Sequence, residues 1–246
     1  MPQPALSIVV PAYNEERRIR PTLEGYVGHF RGQYPHGAFE VIVVLNGCRD
    51  NTRGVVEAVM AGAPEVRLLE WKEPLGKGGA ILRGMAEAKG RLLAFVDADN
   101  MVRAAEAEKL LDALSTHDVA IGDRVLGTQL RGKQPFVRKL ISSTSRAWVR
   151  LFLGLPYRDT QCGAKAFRAE AWRAIEDEVV ETGWAFDLDV LAHARQHGLT
   201  VAEVPVEWEH IAMDSKVKVS DLPKTYLSTF GIRGRVRKAA KAGRPA

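Results

Sequence analysis

Short apolar runs punctuate the amino-terminal part of the chain, each followed by a longer stretch of helical periodicity. Leu6–Val10, Val41–Leu45, Val66–Trp71 and Leu92–Val96 have the length and apolar character of buried strands. Between them the pattern predicts helices from about Glu15 to Arg31, over Thr52–Met60, and from Gly78 to Ala88. Strands alternating with helices of this length imply βαβ units and a mostly parallel sheet. Right-handed crossovers then gather the loops Pro11–Glu16, Asn46–Thr52, Pro74–Gly79 and Asp97–Met101 on one edge. In an open α/β sheet that is the edge where ligands bind.

The second half is less regular. Val119–Gly122 reads as a short strand, Thr160–Phe167 as a compact Gly-containing segment, 185–197 as a helix and Leu199–Val206 as a strand. Residues 136–155 read as a helix with one apolar side, from Phe136 and Leu140 to Trp148, Leu151 and Phe152, and a basic side carrying Arg138, Lys139, Arg146 and Arg150. No repeat or interdomain linker is visible. The pattern therefore predicts one α/β domain over residues 1–222 and a flexible, basic, amphipathic C-terminal tail over 223–246.

Composition changes this picture little, and charge changes it more. A chain of 246 residues with 46% hydrophobic and 26% charged residues is ordinary for a globular protein. No run of about 18 apolar residues predicts a membrane-spanning helix, and no basic-then-apolar start predicts a secretory signal. Two cysteines, Cys48 and Cys162, give no disulfide framework, so a reducing cytoplasm is the simplest setting. The formal net charge of +5 is concentrated at the end, where residues 233–246 hold six Lys and Arg and no acid. Without them the net charge is about −1. No recognition fold accompanies these charges, so nucleic acid is not an expected partner.

The candidate chemistry lies in the gathered loops. Leu92–Val96 runs straight into Asp97-Ala98-Asp99, two carboxylates where a hard cation such as Mg²⁺ takes oxygen ligands together with substrate phosphates. Asp-x-Asp also ends many strands with no metal involved. Pro74-Leu-Gly-Lys-Gly-Gly-Ala-Ile has glycines and Lys77 before a helix whose N-terminus attracts anions. It has neither the P-loop nor the dinucleotide spacing. Asn46-Gly-Cys-Arg-Asp-Asn-Thr52 offers amides and carbonyls to a nucleobase or ribose, or else an Asx turn with Asp50 as helix cap. His193 and His197 stand four apart without a third ligand and read as structural. Trp148, Trp172, Trp184 and Trp208 read as core or interface residues.

These loops, in this order, resemble the inverting nucleotide-sugar glycosyltransferases of family 2, whose fold is called GT-A. The matching segments are Ser7-Ile-Val-Val-Pro-Ala-Tyr-Asn-Glu-Glu16, Asn46–Thr52, Gly76-Lys-Gly-Gly-Ala80 and Asp97-Ala-Asp99. They continue through Gly122-Asp-Arg124, Arg138–Ser142, Arg158-Asp-Thr-Gln-Cys-Gly163, Trp184-Ala-Phe-Asp187 and Ser215-Lys216. The Arg158–Gly163 and Trp184–Asp187 segments are most similar to polyprenyl (dolichyl) phosphate glucosyltransferases, then to dolichyl phosphate mannose synthases.

The resemblance implies roles. Pro11, Tyr13, Glu15 and Asn46 would line the nucleoside pocket, with Lys77, Ala98 and Lys216 also on the donor. Asp97 and Asp99 would hold Mg²⁺ or Mn²⁺ on its diphosphate. Arg124, Arg138 and Ser142 would hold the acceptor phosphate. Asp187 would be a general base for a hydroxyl acceptor, or would orient its neighbours if the acceptor is a phosphate. Two positions depart from the usual pattern. Leu45-Asn46-Gly47-Cys48 replaces Asp-Asp-Gly-Ser, losing a carboxylate contact, and Met101 replaces a Gln that mannose synthases often place beyond the second metal Asp.

The implied reaction is inverting, metal-dependent transfer of a hexose, with glucose and UDP the expected pair, to polyprenyl phosphate at the cytoplasmic membrane face. The sequence leaves the oligomeric state open. A phosphate monoester is already an anion and needs Arg forks to position it. A sugar hydroxyl benefits from a base worth roughly 10²–10⁴-fold. The basic helix 136–155 and the tail would meet a lipid surface. Three other readings stay open: a family 2 enzyme acting on a hydroxyl with Asp187 as base, a nucleotidyltransferase, and a membrane-peripheral binding module without catalysis.

Overall fold

The computed structural model describes residues 3–35, 37–127, 136–208 and 222–241. Among these described residues are seven strands: β1 (Leu6–Ala12), β2 (Phe39–Asn46), β3 (Val66–Trp71), β4 (Leu92–Val96), β5 (Val119–Asp123), β6 (Ala164–Arg168) and β7 (Val201–Pro205). Eight helices accompany them: α1 (Ile19–Arg31), α2 (Thr52–Met60), α3 (Gly76–Glu87), α4 (Ala104–Ala113), α5 (Phe136–Leu153), α6 (Ala169–Ile175), α7 (Phe186–Gln196) and α8 (Leu222–Lys241).

All seven strands form one open sheet in the order β3-β2-β1-β4-β6-β5-β7. Every pairing is parallel except those of β6, which runs antiparallel to both β4 and β5. This is the expected α/β class with a mostly parallel sheet. The chain winds outward from β1 through β2 to β3, then returns to place β4 on the other side of β1. That reversal opens a crevice at the carboxyl ends of β1 and β4.

The strands read as continuous apolar runs because both faces are covered. In β1, Leu6, Ile8 and Val10 pack towards α1, α2 and α4, whereas Val9 faces the opposite layer with Ile42, Val44, Leu93 and Phe95. That second layer is built by α3, α6 and α7, with Val149 of α5 and Ile232 of α8 joining it. Side chains such as Phe95, Phe167 and Leu6 have no exposed surface, and each contributes about 1.5–3 kcal/mol by burial.

Several expectations need correction. The helix expected from Glu15 begins at Ile19, because Asn14 takes a left-handed φ of 53° and residues 15–18 form a turn first. α3 begins two residues before the expected Gly78. The compact Thr160–Phe167 segment ends in strand β6, and α4 and α6 had no sequence counterpart. Most of the segment 223–246, expected as a flexible tail, belongs to helix α8 (Leu222–Lys241), whose Thr229 and Ile232 are buried. Its aromatic residues meet α5: Phe230 lies 4.6 Å from Phe152 and 6.0 Å from Trp148 between ring centroids.

Candidate active site

Four strand ends and the start of β6 build the site. β4 delivers Asp97 and Asp99 just past its last residue, as the sequence implies. β6 runs the other way, so its beginning, Gly163–Ala164, lies against the end of β4, and the Asp97 N–H bonds the Gly163 carbonyl at 3.0 Å. A Cβ at Gly163 would overlap the Asp97 carboxylate, so glycine is required by this close approach. α1 holds the acidic turn from beneath. The Thr22 hydroxyl donates to the Ala98 carbonyl at 2.9 Å, and the Tyr26 hydroxyl to that of Val102 at 3.0 Å.

The two carboxylates sit in different settings. Asp97 pairs with Lys77 of α3 at 2.8 Å. Burial opposes the charge on Lys77, yet Asp97 and Asp187 outweigh it and raise the lysine's pKa. Burial, and then the Asp97 charge beside it, raise the pKa of Asp99; the Met101 N–H, 3.1 Å away, offsets this in part. A second carboxylate held beside the first suits a cation. Among the described residues no group of three or more His, Cys, Asp or Glu could hold a metal ion. Two protein carboxylates with the remaining oxygens supplied by a diphosphate and water fit Mg²⁺ well.

The glycines in the first turn of α3 serve packing. Gly76 has a φ of 77°, and Cβ atoms at Gly76 and Gly78 would strike the carbonyls of Thr182 and Glu181. The Gly79 N–H bonds the Thr182 carbonyl at 3.1 Å. Residues 181–184 thus lie on the start of α3, and the Trp184 ring comes 5.9 Å from Lys77 Nζ. Trp184, which the sequence assigns to core or interface, is half-buried beside Lys77.

Asn46 makes two hydrogen bonds within the protein. Its Oδ1 accepts the Leu75 N–H at 2.5 Å and its Nδ2 donates to the Gly76 carbonyl at 3.1 Å. The amide therefore fixes the turn that carries Lys77. A carboxylate could accept but not donate, which gives Asn46 a physical reason to differ from the family's usual Asp. Pro11 is half-buried at the end of β1, and Tyr13 beyond it is exposed. Glu15 is buried, its carboxylate in a two-pronged pair with Arg18 at 2.7 and 2.8 Å. Its N–H bonds Thr52 at 2.7 Å, and Asp50 accepts the Glu16 N–H, so the 13–16 and 46–52 loops are tied together.

The opposite wall holds the arginine. Arg124 follows β5 and grips Asp159 through Nε at 2.6 Å and Nη2 at 2.8 Å. Its Nη1 has no partner among the described residues. Burial alone would push Asp159 up, but the Arg124 pair and hydrogen bonds hold its carboxyl below the ordinary range. Trp208 lies 5.6 Å beneath the guanidinium, a second tryptophan at the site that the sequence pattern assigns to core or interface. The Arg158 side chain points to solvent. Cys162 is buried, which pushes its thiol up to about 11 and keeps it protonated.

Asp187, at the start of α7, pairs with Lys165 Nζ at 2.5 Å, and the same ammonium donates to the Cys162 carbonyl at 2.9 Å. Lys165 has no exposed surface and Asp187 almost none. Sequence reasoning missed Lys165. Its one signal is a lysine between small apolar residues, Ala164 and Ala166, in a strand buried on both faces. The side chains of Arg138 and Ser142, and the whole of Lys216, lie outside the described residues.

Residues 7–180 match the family described as Glycosyl transferase family 2. The chain belongs to this family. Glycosyltransferase AglD of Haloferax volcanii is 36% identical over 206 residues, covering 83% of this chain and 33% of AglD. A dolichyl-phosphate beta-glucosyltransferase of Drosophila melanogaster is 35% identical over 223 residues, covering 85% of this chain and 68% of that protein. The chain thus spans a third of AglD and about two thirds of the latter relative. The glucosyl-3-phosphoglycerate synthase of Mycobacterium tuberculosis, solved with Mg²⁺ and UDP, superposes with a TM-score of 0.66 at 19% identity, covering 99% of this chain and 81% of that one. At that identity the likeness shows the shared GT-A fold.

Proposed function

We propose that this glycosyltransferase moves glucose from UDP-glucose to the phosphate of a polyprenyl phosphate, with inversion at the anomeric carbon. A phosphate oxygen of the lipid forms the new bond to C1 as the bond from C1 to the UDP diphosphate breaks. The observation that carries the acceptor assignment is the state of the acids around the site. Asp187 is committed to buried Lys165 and Asp159 to Arg124, so neither is poised to take a proton from a hydroxyl. A phosphate acceptor brings its own charge and needs no base. The open Nη1 edge of Arg124 offers it a donor, and Asp159 fixes the direction of that edge.

The donor half rests on the same geometry. Asp97 and Asp99 would hold Mg²⁺ or Mn²⁺, which would supply Lewis-acid stabilisation of the leaving diphosphate. Lys77 brings a fixed positive charge to the same place. Pro11, Tyr13 and Glu15 border the nucleoside side, with Asn46 supporting it from below.

No helix among the described residues is long and apolar enough to cross a membrane. The lipid is met from the cytoplasmic membrane surface by the α5–α8 face. There Leu151, Leu227 and Phe230 are 84%, 69% and 54% exposed, with Arg150, Arg233, Arg237 and Lys238 on the same two helices. Apolar side chains rimmed by cations suit the headgroup boundary.

The test is a panel of nucleotide sugars with Mg²⁺ or Mn²⁺, run with and without polyprenyl phosphate, scoring nucleotide release and lipid-linked sugar. The expected result is lipid-dependent product from UDP-glucose. Lipid-independent turnover onto a soluble hydroxyl compound, or no product from any donor, would overturn the acceptor assignment.

A further inference from the structure

α8 sets a charge against the buried first turn of α7. Arg235 Nη2 lies 2.9 Å from Asp189 Oδ1 and 3.2 Å from Glu181 Oε1. Asp189, in the first turn of α7, has no exposed surface. Its other oxygen accepts the backbone N–H groups of Val180 and Glu181 at 2.9 and 3.0 Å. One carboxylate therefore joins the C-terminal helix to the backbone of residues 180–181.

The next residues along the chain make this junction more than packing. The Thr182 carbonyl accepts the Gly79 N–H, and the glycines at 76 and 78 let the 181–182 carbonyls rest on α3. Trp184 then stands over Lys77, whose ammonium pairs with Asp97. The physical connection runs without a gap from Arg235 through Asp189 and residues 180–184 to Lys77. Titratable neighbours of the junction include His193, 3.3 Å from Asp189, and Glu178, which lies beside both His193 and His197.

We propose that Arg235 and Asp189 are positioning residues for the donor diphosphate: the docked α8 holds the 180–184 segment, and that segment holds Lys77 and the start of α3 in their binding arrangement. Neither residue touches the donor. The proposal rests on the reading of Lys77 and Asp97 as the diphosphate side of the site.

The experiment compares R235A with R235K, using amide hydrogen exchange on the unliganded protein and steady-state kinetics with donor and lipid varied separately. In R235A the Val180, Glu181 and Gly79 amides should exchange faster. The donor KM should rise about tenfold, the scale of one lost charge-assisted hydrogen bond. The KM for polyprenyl phosphate should stay within about twofold, and R235K should recover most of the donor affinity. An unchanged donor KM in folded R235A overturns the proposal, as does an equal rise in both KM values, which marks a merely structural role. If R235A does not fold, E181Q takes the charge from only the longer contact; a donor KM raised two- to threefold supports the proposal, about half the effect in free energy, and an unchanged one overturns it. Exchange needs no substrate, so a wrong acceptor assignment leaves the amide result intact.

Discussion

Replacing Asp187 by Asn separates two accounts of the same residue. In the structure Lys165 has 0% of its side chain exposed and Asp187 4%, with Nζ and Oδ1 2.5 Å apart. Removing one member of such a pair leaves an uncompensated charge in the interior, which costs about 3–5 kcal/mol. That is a large part of the 5–15 kcal/mol, roughly, by which a domain is stable. Lys165→Met should cost a similar amount. The double variant K165M/D187L replaces the pair with apolar side chains and should lie within about 1 kcal/mol of the parent or above it. Urea denaturation of the parent, D187L, K165M and K165M/D187L completes the cycle, with a coupling of about 3 kcal/mol or more expected. Turnover of the D187N enzyme that remains folded at low temperature should fall only modestly. A D187N protein of parental stability that has lost nearly all turnover while still binding donor would refute the reasoning and make Asp187 the base.

Other expectations concern the two walls of the site. D97N or D99N should lower metal-dependent kcat by about 100-fold or more, corresponding to several kcal/mol of leaving-group stabilisation; retained activity would remove these residues from the metal site. R124K keeps the charge but loses the fork, so KM for polyprenyl phosphate should rise about tenfold while the donor KM holds. G163A should abolish turnover, because the added methyl occupies the place of the Asp97 carboxylate; a crystal structure with Asp97 unmoved would contradict this. The folded-state pKa of Asp159 is depressed, so its contribution is present above the ordinary carboxylate value near 3.8 and is lost as pH falls through the folded value. Thermal melts should therefore show a shallower acid limb for D159N than for the parent, and identical limbs would argue against the Arg124 pair as the cause.

The amino-terminal half of the fold is legible because β1, β2 and β4 are covered on both faces and so announce themselves as unbroken apolar runs. Asp97 and Asp99 are legible for the same reason: acids that end such a run stand out. Strand β6 is hidden because Ala164, Ala166 and the interior Lys165 look like neither a strand nor a core. Lys165 is explained only by Asp187, 22 positions away, which periodicity does not reach. α8 misleads through its charge, since a basic segment reads as solvated until Asp189 and Glu181 are seen beneath Arg235. The tasks of Asn46, Trp184 and Trp208 depend on loops meeting across the sheet edge, and local spacing carries no record of those meetings.

The reversed direction of β6 divides the labour of the molecule. Had β6 run with its neighbours, residues 158–163 would have entered the sheet at the far edge and Asp159 could not have met Arg124. Because it runs backwards, a strand entering the sheet adds its start, Gly163–Ala164, to a cleft otherwise built from strands leaving it. Glycines at 76, 78 and 163 are the seams where segments distant in sequence are pressed together. Each wall can change its side chains without rethreading the other. One donor-binding frame could thus be fitted to different acceptors, provided those seams stay bare of side chains.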